Sequence, residues 1–115
     1  MLSDPTLARL LAFREERDWA QFHSFRNLAV SLSIESAELL ELVQWVSDAD
    51  VADVVRDRRA EICGEIADIA SYLALLAHDL GVDVDQCVRQ KLEVNEKRYP
   101  VEKAKGVATK YDRLK

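Results

Sequence analysis

The chain has 115 residues, 49% apolar and 32% charged, which is enough for one hydrophobic core without staples and excludes a disordered or fibrous class. With 3 Gly and 2 Pro it has little material for the turns of a β protein, and a net charge of −5 argues against a nucleic-acid partner. The charge is uneven: residues 1–88 hold 17 acids and 7 bases and residues 89–115 hold 4 acids and 9 bases, an acidic centre and a basic end that suit a metal plus a phosphate, or a solvated tail.

Ser3 or Asp4 ahead of Pro5 marks a helix start, and Leu7, Leu10, Leu11 and Arg14 continue at helical spacing to about Asp18. The polar and aromatic stretch from Trp19 to Phe25 leads into a second helix, which begins at about Ser24 or Arg26 and ends near Val46. Ser47-Asp-Ala-Asp lacks an apolar period and supplies caps, so a loop there precedes a third helix from about Val51 or Asp53 to Leu80, closed by Gly81. Asp83 or Asp85 starts a fourth helix that Pro100 ends at Tyr99. The pattern predicts an all-α fold, a four- to five-helix antiparallel bundle, with residues 1–100 as the domain and 101–115 as a basic C-terminal tail. Between Ile66 and Ala77 the third helix is apolar nearly all round, so a homotetramer or dimer is expected, the other explanation being a helix central to the bundle. Cys63 and Cys87, outside any CxxC pattern, read as reduced, buried thiols. The N-terminus lacks the basic and apolar regions of a signal peptide, and the longest apolar run is too short for a bilayer. A cytoplasmic protein without a membrane partner is the expectation.

Two acidic pairs, Glu35-x-x-Glu38 and Glu65-x-x-Asp68, sit inside the two most apolar stretches. On the second helix Leu28, Leu32, Leu39, Leu42 and Val46 recur at steps of three and four, and Glu35 fills the missing rung. Acids three apart share a helix face, so two such helices packed antiparallel bring four carboxylates together. Burying them unpaired costs several kcal/mol unless a cation sits among them. No Lys or Arg lies between Arg26 and Arg56 or between Arg59 and Arg89. All-oxygen ligation favours Mg²⁺ or Mn²⁺ over zinc; rescue of boundary acids by basic side chains of the C-terminal segment is the bland alternative. A di-iron centre needs Glu-x-x-His, and neither His23 nor His78 has an acid three residues before it. Gly64, Gly81 and Gly106 are isolated, so no glycine loop cradles a phosphate. Lys91, Asn95 and Arg98 form one polar face of the fourth helix, either a phosphate contact or a solvated face. Trp19, His23, Trp45 and Tyr72 are candidates for gripping a planar base, with the core as their other use.

The ordered segments Arg17-Asp-Trp-Ala-Gln-Phe-His, Arg26-Asn-Leu, Glu35-Ser-Ala-Glu-Leu-Leu-Glu-Leu-Val-Gln-Trp, Glu65-Ile-Ala-Asp-Ile-Ala-Ser-Tyr-Leu and Lys91-Leu-Glu-Val-Asn-Glu-Lys-Arg-Tyr-Pro resemble the MazG-like all-α nucleotide pyrophosphohydrolases, most of all the small dCTP pyrophosphatases. The resemblance covers about Arg9 to Tyr111. It implies Mg²⁺-dependent hydrolysis of a deoxynucleoside triphosphate, dCTP or a related or modified nucleotide, to monophosphate and pyrophosphate in a helical tetramer, a pool-cleaning activity. By motif match it implies Glu35, Glu38, Glu65 and Asp68 as metal ligands, and Trp19, His23, Trp45 and Tyr72 around the nucleoside. It further implies Lys91, Asn95, Arg98 and Tyr99 on phosphate or sugar, with Lys110 and Tyr111 closing over phosphates from another subunit. Glu38 or Glu41 could take the proton of the attacking water; Glu38 is preferred because it belongs to the inward pair. Gly64 stands where relatives often carry a second acid. The alternative reading is a non-catalytic helical oligomer, an interaction module, with a structural ion.

Overall fold

The computed structural model describes residues 1–115 as helices and turns, without a strand. Helices α1 (Asp4–Glu16), α2 (Phe25–Glu41), α3 (Val51–Asp57) and α4 (Arg59–Leu80) form one compact unit, Met1–Gly81. Helices α5 (Val84–Arg98) and α6 (Val101–Ala104) lie in a second, Val82–Lys115. No helix is long and apolar enough to cross a membrane.

In the first unit the expected caps are in place. The Ser3 hydroxyl accepts from the Thr6 N–H at the start of α1, and the Ser24 hydroxyl accepts from the Asn27 N–H at the start of α2. Gly81 ends α4 in the left-handed region at φ 65°, where a Cβ would be strained. Helix α2 packs along α4. His23, just ahead of α2, shares a cavity with Leu75 late in α4, whereas Glu35 meets Glu65 early in α4, so the two helices run antiparallel. Leu28 and Leu42 at the two ends of α2, with Ala74 and Leu75 of α4, make the buried core. Leu28 and Leu42 are rungs on either side of the gap that Glu35 fills in the apolar ladder.

Several boundaries differ from expectation. Helix α1 stops at Glu16 rather than Asp18, because Asp18 takes a left-handed backbone at φ 53°. Helix α2 stops at Glu41 rather than Val46: the N–H groups of Leu42, Val43 and Val46 donate to carbonyls three residues back, tightening the chain into turns. The single third helix is two, since Arg58 leaves the helical region at φ −110° and ψ 27° while its guanidinium grips Glu61 at 2.7 Å. Both cysteines are exposed rather than buried. Cys63 lies on a solvent-facing position of α4, and α5 is mostly solvated at Cys87.

In the second unit Asp83 caps α5 by accepting from the Gln86 N–H, and the helix ends at Arg98 just ahead of Tyr99-Pro100. The tail beyond Pro100 is not featureless. It forms the single turn α6, then returns so that the Tyr111 N–H donates to the Tyr99 hydroxyl at 3.1 Å. The two tyrosine rings meet edge-on at 6.0 Å, and the Arg98 guanidinium lies 4.4 Å over the Tyr111 ring.

Candidate active site

Helices α2 and α4 carry the two acidic pairs at the spacing of one turn, and their packing brings carboxylate oxygens of Glu35, Glu38 and Glu65 within 4.8 Å of one another. Glu35 and Glu65 are half-buried and Glu38 is the most open of the three. Asp68 stands outside this group, exposed, on the wall of the adjoining cavity. None of the six ion pairs of the protein includes any of these four acids. One oxygen each of Glu35 and Glu65 (Oε2) is buried without a hydrogen-bond partner.

The electrostatics follow from that crowding. Burial, then the closeness of Glu38 and Glu65 and the charge of Asp68, push the Glu35 carboxyl up to about 7. Glu65 is raised as well, burial again first, with Glu38 and Asp68 adding to it while its bond to Glu35 opposes. Orphaned buried oxygens in an all-carboxylate set, with no protein cation beside them, fit a hard divalent ion.

Beside the acids lies a cavity of about 360 Å³ lined by Trp19, His23, Asp68 and Tyr72 together with Leu10, Phe13, Arg14, Ser71 and Leu75. It thus joins three of the four sequence-selected aromatic candidates to one of the acids. Trp19 rests edge-on against Phe13 at 5.6 Å. The His23 Nδ1 is buried with no partner, and burial first, then the Arg14 charge, holds its pKa below the usual histidine value, so the ring is neutral near pH 7. Trp45 is elsewhere: it stands in the turn after α2, 90% exposed, and does not line this cavity. Lys91, Asn95, Arg98 and Tyr99 follow one another along α5 and its C-cap in the second unit. Lys91 and Arg98 are exposed there, and the Asn95 carbonyl accepts from the Tyr99 N–H at 2.8 Å.

Sequence reasoning passed over Arg14 and Asp79, whose side chains form a two-armed ion pair with N–O distances of 2.8 and 2.9 Å. A signal was present, since Arg14 occupies a rung of the apolar ladder of α1 just as Glu35 does on α2.

With this geometry in view, the comparisons point one way. Residues 30–114 match the MazG-like family. Over 117 aligned residues the chain is 43% identical to dCTP pyrophosphatase 1 of Rattus norvegicus, covering 96% of this chain and 69% of that protein. The Homo sapiens protein of the same name is 39% identical over the same shares. Among solved structures, a pyrophosphatase from Archaeoglobus fulgidus superposes with a TM-score of 0.82 at 41% identity, covering 84% of this chain and 91% of that one.

Proposed function

This chain belongs to the MazG-like family and is a nucleotide pyrophosphohydrolase, and we propose that its substrate is a deoxynucleoside triphosphate, dCTP or a related or modified deoxynucleotide, cleaved with Mg²⁺ to the monophosphate and pyrophosphate. The observation that carries the reading is the convergence of Glu35, Glu38 and Glu65 beside a cavity of nucleoside size. Asp68, on the wall between the two, completes the ligand set.

A divalent ion held by these carboxylates supplies positive charge to the triphosphate and acidity to water. The residues do the rest. Glu38, the most open acid, orients the attacking water and takes its proton. The water oxygen bonds to the α-phosphorus, the bond from that phosphorus to the α–β bridging oxygen breaks, and pyrophosphate leaves with the electron pair. Trp19 and Tyr72 offer aromatic faces to the base, and His23 offers its unpartnered Nδ1 as a hydrogen-bonding group. Lys91, Asn95, Arg98 and Tyr99 meet phosphate or sugar.

Assembly into a dimer or tetramer is part of the proposal. Helix α2 shows solvent a second apolar surface, with Phe25, Val30 and Ile34 lining one shallow groove, each about half exposed or more. A second copy of the chain is its proposed cover. Incubation with each common nucleoside and deoxynucleoside triphosphate and Mg²⁺, with products separated by ion exchange, tests the reaction. Monophosphate with pyrophosphate supports it, while diphosphate with orthophosphate refutes it. Sedimentation at micromolar concentration tests the assembly, and a fully active monomer refutes that part.

A further inference from the structure

The cavity read above as the nucleoside pocket has one wall on α4 and the other on a short segment that follows α1. Besides the apolar contact of Trp19 with Phe13, a charged contact ties that second wall to α4. Among the six ion pairs, only Arg14–Asp79 joins residues more than four apart in sequence, and it links the last turn of α1 to the last turn of α4. Both terminal nitrogens of Arg14 are engaged, Nη1 to Asp79 Oδ2 at 2.8 Å and Nη2 to Asp79 Oδ1 at 2.9 Å. The Arg14 side chain is only 12% exposed.

The same residue governs the chain that follows. The Arg14 carbonyl accepts from the Trp19 N–H at 3.1 Å and the Glu15 carbonyl from the Asp18 N–H at 3.0 Å, the paired bonds of a helix-ending turn whose left-handed position usually belongs to glycine. Here it is Asp18 at φ 53°, and its carboxylate and carbonyl both accept from the Gln21 amide, at 3.1 and 2.9 Å. The backbone from Arg14 to Gln21 is therefore bonded at successive points, and it delivers Trp19 to the cavity with His23 four residues after it.

We propose that the Arg14–Asp79 pair is the positioning element of the nucleoside pocket, fixing the Trp19–His23 wall against Ser71 and Tyr72 of α4. Arg14 has three attachments in one residue: side chain to α4, carbonyl to Trp19, and a surface on the cavity itself. Loss of the fork frees the end of α1 to shift, and Trp19 moves with it. The acids of α2 and α4 stay put, so the effect falls on the nucleoside and not on the phosphates. Misplacement by about an ångström is enough to weaken a positioned contact severely.

The role rests on the nucleotide reading of the cavity, and the test separates the two. Arg14→Lys keeps the charge and loses the planar fork; Asp79→Asn keeps the shape and loses the charge. For each variant, KM and kcat are measured with the preferred deoxynucleoside triphosphate, together with inhibition by pyrophosphate, calorimetric binding of the matching monophosphate, and circular dichroism. The expected result is KM raised about tenfold and monophosphate affinity lowered to match, with kcat at saturation within about threefold and pyrophosphate inhibition unmoved. Folded variants with KM within about twofold of the parent overturn the role, as do variants whose KM and pyrophosphate inhibition worsen together. Should Asp79→Asn fail to fold, Arg14→Lys decides; if both lose their helical signal, the pair is a structural clasp and the proposal fails. A parent protein that neither turns over nor binds any nucleotide overturns the reading of the cavity itself, and this role with it.

Discussion

Helix α4 treats two of its acids in opposite ways. Asp79, near its end, is met by the two-armed guanidinium of Arg14, which holds its carboxyl below the usual carboxylate range. Glu65, about four turns earlier, faces Glu35 and Glu38 instead, and burial first, then the charges of Glu38 and Asp68, drive its pKa the other way. The fold can therefore supply a cation to an acid when stability is all that is required. Where it brings like charges together without one, it gives up stability for a site that attracts a cation from solution.

Removing the same charge at the two places sharpens the contrast. Under the proposed function, Glu65→Gln should lower kcat by about a thousandfold or more, since it would delete a ligand of the divalent ion that neutralises the triphosphate. Helical content should persist. A variant retaining full turnover at saturating Mg²⁺ would break the distinction at its root.

Stability gives the next largest effect. In metal-free buffer Glu65→Gln should leave the thermal midpoint unchanged or raise it, because it relieves repulsion. Asp79→Asn should lower stability by on the order of 1 kcal/mol, intermediate between surface and buried pairs. Calorimetry of both variants beside the parent checks the opposed signs.

The two acids should also leave opposite marks on the pH profile. Glu35 has a folded pKa of about 7 against an ordinary 4.5, so the folded state binds the extra proton between those values. Its contribution is fully present below pH 4.5 and is lost as pH rises through about 7. Asp79 is depressed below its ordinary 3.8, so its contribution is present above pH 3.8 and is lost as pH falls through the lower folded value. Urea midpoints of the metal-free protein across this range should show both limbs. Glu35→Gln should flatten the neutral limb, and Asp79→Asn the acid one.

The smallest effect is a control on the same helix. Gly64 adjoins Glu65, and a Cβ built there meets nothing within 4 Å. Gly64→Ala should therefore stabilise the protein by about 0.5–1 kcal/mol and leave kcat alone. A loss of turnover there would mean that the local helix, not the carboxylates, governs the chemistry.

Much of this was legible beforehand where a local rule applies. Ser24 as a cap, Gly81 as a left-handed stop and Glu35 as a polar rung on an apolar ladder follow from backbone sterics and the helical period. The acid cluster was legible for the same reason, since a carboxylate placed on a buried stripe needs a partner that no neighbouring Lys or Arg could be. The break at Arg58 was not, because neither Gly nor Pro marks it and the Arg58–Glu61 pair reveals itself only in three dimensions. Arg14 was written into its ladder as plainly as Glu35, but its partner lies 65 residues away, beyond any periodicity. Trp45 shows the converse limit: its place after an acidic pair suggested a pocket wall, and the early end of α2 turns it out to solvent.

Asp18 has a further consequence, for how this sequence can drift. A left-handed backbone at φ 53° admits Gly, Asn and Asp readily and bars β-branched residues outright. The vocabulary at position 18 is thus set by chirality before any chemistry is considered. A library randomised at that codon and selected for folding alone should return the same few letters, and activity would hide among them rather than choose them.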